Sequence, residues 1–96
     1  MAFCTLLEWD SGFPFDRYDE LNTRAGDHDS LPDGCLAGVV GAVDSGARII
    51  EVWQSDGHAK RFSDKNSHLI SELQIPPPTR VAAFETNTFQ TQETTR

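Results

Sequence analysis

From Ala47 to Phe62 the chain leaves a strand and enters a helix almost without a break, and no other stretch restricts the fold as much. Ile49-Ile50-Glu51-Val52-Trp53 is β-branched and aromatic, a composition suited to a pleated, buried surface. Ser55 is an N-cap, and Asp56 follows in the first turn, where the helix dipole favours negative charge. Ala59, Phe62, Leu69, Ile70 and Leu73 make the apolar stripe of this helix. Its centre, Ser63-Asp64-Lys65-Asn66-Ser67, is weak and predicts a kink or an interruption. Just upstream, Asp44-Ser45-Gly46 has the composition of a hairpin turn between strands over 35–43 and 47–54.

The same logic extends outward. Residues 2–9 read as a first strand that Ser11-Gly12 breaks. Pro14 opens a helix whose Phe15, Tyr18 and Leu21 share one face, with Asp16 and Asp19 near its positive end and Gly26 at its close. Residues 27–34 are rich in turn formers and make a loop. Pro76-Pro77-Pro78 ends the second helix and delivers an extended chain into a last strand over 80–88. Residues 1–89 thus form a single domain, and 90–96 a polar tail.

The resulting order, β-α-β-β-α-β, is that of a ferredoxin-like α+β sandwich with both helices on one face of the sheet. The first and third strands are expected to be parallel neighbours. Leu36 to Val43, Ile49 to Trp53 and Val81 to Phe84 show little alternation of apolar and polar residues. A sheet with one wet face should alternate, and two helices cover only one face. A second copy of the same sheet is the simplest cover, so the pattern predicts a homodimer joined through the sheet face. At 96 residues the chain would gain considerably from that added burial.

Charge narrows the partners. Fifteen acidic against eight basic residues give a formal charge of −7, and no basic cluster exceeds Lys60-Arg61. Nucleic acid and anionic membrane surfaces are therefore disfavoured. The N-terminal residues lack the basic flank and apolar run of a signal peptide or membrane span. Cys4 and Cys35 lack metal spacing, so the expected setting is the reducing cytoplasm.

In this context the chain resembles the dimeric α+β barrel superfamily, and within it small proteins similar to antibiotic biosynthesis monooxygenases. The residues that carry the resemblance are the glycines from Gly34 through Gly41 to Gly46, then Glu51-Val52-Trp53-Gln54-Ser55, Phe62 seven positions after Ser55, and Ile75-Pro76-Pro77-Pro78. The matched order runs from about Phe3 to Phe89. The superfamily includes cofactor-free oxygenases of aromatic polyketides, isomerases, cyclases and haem-degrading enzymes. Similar short sequences often carry a histidine in the second strand, where this chain has Gly38. The resemblance implies a cofactor-independent, monooxygenase-like enzyme that deprotonates a small aromatic or polyketide-like molecule and stabilises its enolate. The alternatives are a non-catalytic ligand-binding or accessory homodimer, and an isomerase or cyclase.

Candidate residues follow from placement. Trp9 and Trp53 end the two strands expected to be parallel, so they are expected to meet at one edge and grip an aromatic ring. Both helix N-termini are expected to face the same mouth, a donor-rich edge suited to a phenolate or enolate. His58 lies in a first helical turn, where the dipole disfavours protonation and suits a neutral general base. His68 is about 80° further round the helix, too far for a shared metal. The catalytic set is thus His58, His68 and Tyr18, and the substrate-binding set Trp9, Trp53, Arg48 and Phe62. Arg48 and Glu51, three apart, are expected on opposite faces of one strand. Asp27-His28-Asp29 reads as a solvated loop, and neither a metal nor a cofactor is expected.

Overall fold

The computed structural model describes residues 2–26 and 31–90. Six elements follow one another: β1 (Phe3–Trp9), α1 (Phe15–Arg24), β2 (Cys35–Val43), β3 (Gly46–Trp53), α2 (Asp56–Glu72) and β4 (Arg80–Glu85). The four strands form one sheet in the order β2-β3-β1-β4, and the helices lie on one face of it. This is the ferredoxin-like α+β arrangement that the element order predicts. Asp27-His28-Asp29 and the tail beyond Gln90 lie outside the described residues.

Every neighbouring pair is antiparallel, including β1 with β3. The expectation of parallel β1 and β3 is thus incorrect, and the reason is topological. Each helical crossover returns the chain parallel to the strand it left, and another strand fills the gap between the two. β3 enters between β1 and β2 after a hairpin reversal, so it opposes both. The register pairs Trp9 with Ala47 and Trp53 with Phe3. The two tryptophans therefore sit at opposite ends of the sheet. The helix starts separate in the same way, α1 beginning at the Trp9 end and α2 at the Trp53 end.

Local chemistry accounts for the boundaries. The Ser55 hydroxyl accepts from the His58 backbone N–H at 3.3 Å and caps α2. The anticipated kink is absent, because α2 runs unbroken for 17 residues. Asn66, buried at its centre, donates through Nδ2 to the Phe62 carbonyl at 3.0 Å, so the amide is satisfied within the helix. Two residues, Asp44 and Ser45, connect β2 to β3, with Asp44 left-handed at φ 52. The Ser45 carbonyl accepts from the Gly12 N–H at 3.2 Å, tying the hairpin tip to the segment after β1.

The core gathers at this end. Trp9, Phe13, Ala47 and Ile49 are buried together, with Leu7, Tyr18 and Ile75 packed against them. Gly46 lies directly beneath the Trp9 carbonyl and the Asp10 backbone, where a Cβ would overlap main-chain atoms. Main chain cannot swing aside as a side chain can. Gly46→Ala is accordingly expected to cost about 2–3 kcal/mol, seen as a lowered urea midpoint. An unchanged midpoint would show that the turn is free to shift.

Opposite the helices, β-strand alternation directs Cys4, Leu6, Val39, Ile50, Val52 and Phe84 onto the uncovered face. Val39 is 61 % exposed and Phe84 52 %. One end of that face is charged. Arg48 pairs with Glu8 at 3.0 Å, and Arg80 bridges Glu8 at 3.1 Å and Asp10 at 2.6 Å. The Arg80 guanidinium holds the Asp10 carboxyl below the usual carboxylate range.

Candidate functional site

Between the helices and the sheet lies a cavity of about 530 Å³. β1 and β3 supply its floor with Leu7, Trp9, Ile49 and Glu51, residues that alternation places on one face. Phe13, Tyr18 and Leu21 wall one side, Phe62, Ser63 and Ile70 the other, and Ile75 to Pro78 close the end. The proline run is pinned in place, because the Trp9 indole N–H donates to the Pro76 carbonyl at 2.9 Å. Phe13 packs against Trp9 and Tyr18 with ring centroids 4.6 and 5.5 Å apart. The walls are thus aromatic and aliphatic, with a few polar atoms among them, as a small-molecule site requires.

Two of those polar groups titrate. Burial pushes the Tyr18 hydroxyl up to about 12, and the nearby Glu51 carboxyl adds to the rise. Tyr18 is therefore a neutral phenol at physiological pH, able to donate a hydrogen bond. Burial likewise raises Glu51 above the ordinary carboxylate range, since the charged form is poorly solvated there. Thr5 Oγ1 donates to Glu51 Oε1 at 3.5 Å, a long contact. The buried Trp53 indole N–H faces Glu51 and opposes part of the rise, but no acceptor among the described residues lies within good hydrogen-bonding geometry of it.

A second hollow of about 230 Å³ adjoins the first and is lined by Thr5, Trp53 and Ala59. Glu51 and Phe62 border both spaces. Phe62 packs on Trp53 at 5.4 Å between centroids, so its ring stands between the hollow and the main cavity.

The residues singled out from sequence divide into two groups. Trp9, Tyr18 and Phe62 line the main cavity, and Trp53 lines its smaller neighbour. Trp9 and Trp53 do not meet, contrary to expectation, because antiparallel pairing sends them to opposite ends. His58, His68 and Arg48 do not line the main cavity. The His58 ring lies over Gly34, and its Nδ1 is 2.8 Å from the Ser55 hydroxyl, in a separate pocket with Pro32, Asp33, Arg61 and Lys65. His68 is exposed on α2. Arg48 belongs to the uncovered face, opposite Glu51, as their three-residue spacing predicts.

Glu51 and Phe13 line the cavity without belonging to the predicted site set. Glu51 was within reach, since it shares its strand face with Ile49 and Trp53 at two-residue spacing. Phe13 follows the breaker Ser11-Gly12, in a stretch with no periodicity to mark it.

No family model matches the chain, and no curated protein matches it in sequence. Solved structures do resemble it. A Chloroflexus aurantiacus protein named as an antibiotic biosynthesis monooxygenase superposes with a TM-score of 0.66 at 18% identity, covering 95% of this chain and 98% of that one. A Streptomyces coelicolor monooxygenase in complex with nanaomycin D gives 0.58 at 10% identity, covering 96% and 93%. A Deinococcus radiodurans protein, also named as an antibiotic biosynthesis monooxygenase, gives 0.56 at 14% identity over 98% and 100%. The chain therefore has the α+β fold of the antibiotic biosynthesis monooxygenase-like proteins. At these identities the likeness extends to fold alone.

Proposed function

We propose that this chain is a cofactor-independent, monooxygenase-like enzyme acting on a small aromatic molecule, working in the cytoplasm as a homodimer joined through its sheet face. The observation that carries this reading is the aromatic-walled cavity between helices and sheet, with two titratable groups facing it. A monooxygenase of the same fold in complex with nanaomycin D adds support. The uncovered apolar face of the sheet supports the homodimer, because a patch of that kind calls for a partner.

The chemistry follows from what the cavity offers. A ligand with an acidic CH2 beside a carbonyl or phenol ring stacks among Trp9, Phe13 and Phe62. Loss of one proton leaves an enolate, and the Tyr18 hydroxyl is placed to donate to its oxygen. The enolate supplies the electrons that reduce dioxygen. One oxygen atom is retained, so that the CH2 becomes a carbonyl, and the other leaves as water. Substrate and dioxygen together balance the step.

A second reading is a ligand-binding dimer without turnover, favoured by the absence of an imidazole among the described residues that line the cavity. Isotope labelling separates the two. Incubation with quinols and aromatic ketones under ¹⁸O₂, with no added cofactor, is expected to place one labelled atom in the product. Binding without oxygen uptake across the panel would leave the binder as the surviving reading.

A further inference from the structure

We infer that Glu51 is the proton acceptor of the cavity, and that it restricts the site to uncharged ligands with an acidic C–H or O–H. This assignment rests on the reading of the cavity as a binding site for a small aromatic molecule.

Three observations converge on it. Among the described residues Glu51 is the only carboxylate lining the main cavity, and neither histidine on α2 lines it. Among the described residues it has no salt-bridge partner, whereas Glu8 and Asp10 at the uncovered face are both paired with arginine. It also borders both the main cavity and the hollow beside Trp53, so its carboxyl is reachable from either space.

A carboxylate so placed is a competent base. Its surroundings are apolar, its hydrogen bond from Thr5 is long, and burial raises its affinity for a proton. The groups facing it are Tyr18 from α1 and Thr5 and Trp53 from the sheet, with Cys35 of β2 near the Tyr18 hydroxyl. None of these is a cation. In the step itself the ligand C–H bond breaks, the proton passes to a Glu51 oxygen, and the electron pair remains on the ligand as an enolate. No oxidant is required at this stage.

The same arrangement sets the ligand class. An anionic aromatic acid would meet a carboxylate with no salt-bridge partner among the described residues, in a poorly solvated space, and none of the described residues lining the cavity is positive to offset the repulsion. A neutral ketone or phenol meets an acceptor instead.

The test uses 2-tetralone, an uncharged aromatic ketone with an acidic CH2, and 2-naphthoate as the anionic counterpart. Hydrogen–deuterium exchange at the CH2 is followed by NMR in D2O, and binding by tryptophan fluorescence. The wild type is expected to bind 2-tetralone, to accelerate its exchange with a rate that rises with pD, and to ignore 2-naphthoate. Glu51→Gln is expected to bind 2-tetralone within about twofold and to lose about 100-fold or more in exchange. Equal exchange in wild type and variant would overturn the assignment to Glu51 while leaving the cavity reading intact. Binding by the wild type with no accelerated exchange would also overturn it, even where Glu51→Gln does not fold. Absence of any 2-tetralone binding would remove both the assignment and the reading beneath it.

Discussion

Trp9→Ala is expected to lower the stability of the fold by about 3–5 kcal/mol, the usual cost of truncating a buried aromatic. Trp9 is 5 % exposed and sits among Phe13, Ala47 and Ile49, and its truncation would enlarge the cavity it already borders. Its indole also holds the proline run through the 2.9 Å bond to the Pro76 carbonyl. A domain of this size has a total stability of about 5–14 kcal/mol, so the loss is a large share of the whole. Trp9→Phe separates the two contributions. It keeps much of the buried area and loses the indole donor, and about 1–2 kcal/mol is expected. Urea unfolding followed by circular dichroism measures both. A shift under 1 kcal/mol for Trp9→Ala would mean that the end of the sheet is held by something other than this residue.

Ile50→Lys is expected to break the proposed homodimer while sparing the protomer. Ile50 lies mid-strand on the uncovered face and is 39 % exposed in the single chain, so lysine is sterically acceptable there. In a sheet-to-sheet dimer the new charges would be buried near one another with no acid opposite them, since the pairing acids Glu8 and Asp10 already serve Arg48 and Arg80. A weakening of at least about 100-fold in dimer affinity, about 2.7 kcal/mol, follows. Sedimentation across a concentration series should show a dimeric wild type and a monomeric variant with the same far-ultraviolet spectrum. A monomeric wild type would remove the homodimer, and a variant that still dimerises would place the interface elsewhere.

The hairpin around Asp44 and Ser45, the Ser55 cap and the Pro76–Pro78 stop are local signals, each with its own mechanism, and each appears in the structure where the sequence placed it. What failed was longer in range. Adjacency of β1 and β3 follows from the element order, but their relative direction depends on which strand fills the gap under each crossover, and no local signal carries that. The error moved Trp53 from the mouth of the site to the far end of the sheet. The expected kink in α2 failed for a different reason. Asn66 looks like a flaw in an apolar stripe, yet its amide finds the Phe62 carbonyl one turn back, and burial then favours an unbroken helix. The histidines show a third limit. Periodicity fixes how His58 and His68 are arranged relative to each other on α2. It does not fix which face of the helix turns toward the sheet, and Phe62, Ser63 and Ile70 occupy that face.

The placement of Glu51 shows how much further strand periodicity reaches. Alternation alone sets it beside Ile49 and Trp53, while Arg48 goes to the other face. A carboxylate on the helix-covered side of a sheet must be buried, paired or functional, and here the cation is on the wrong side to pair with it.

A functional cavity between the helices and the sheet must bind a ligand. Methyl-resolved NMR of the wild-type protein, titrated with 2-tetralone, reports on that directly. Saturable shifts at Leu7, Ile49, Ile70 and Ile75, with Leu6, Val39, Ile50 and Val52 unmoved, are the predicted result. Shifts confined to the second group, or to neither, would contradict it.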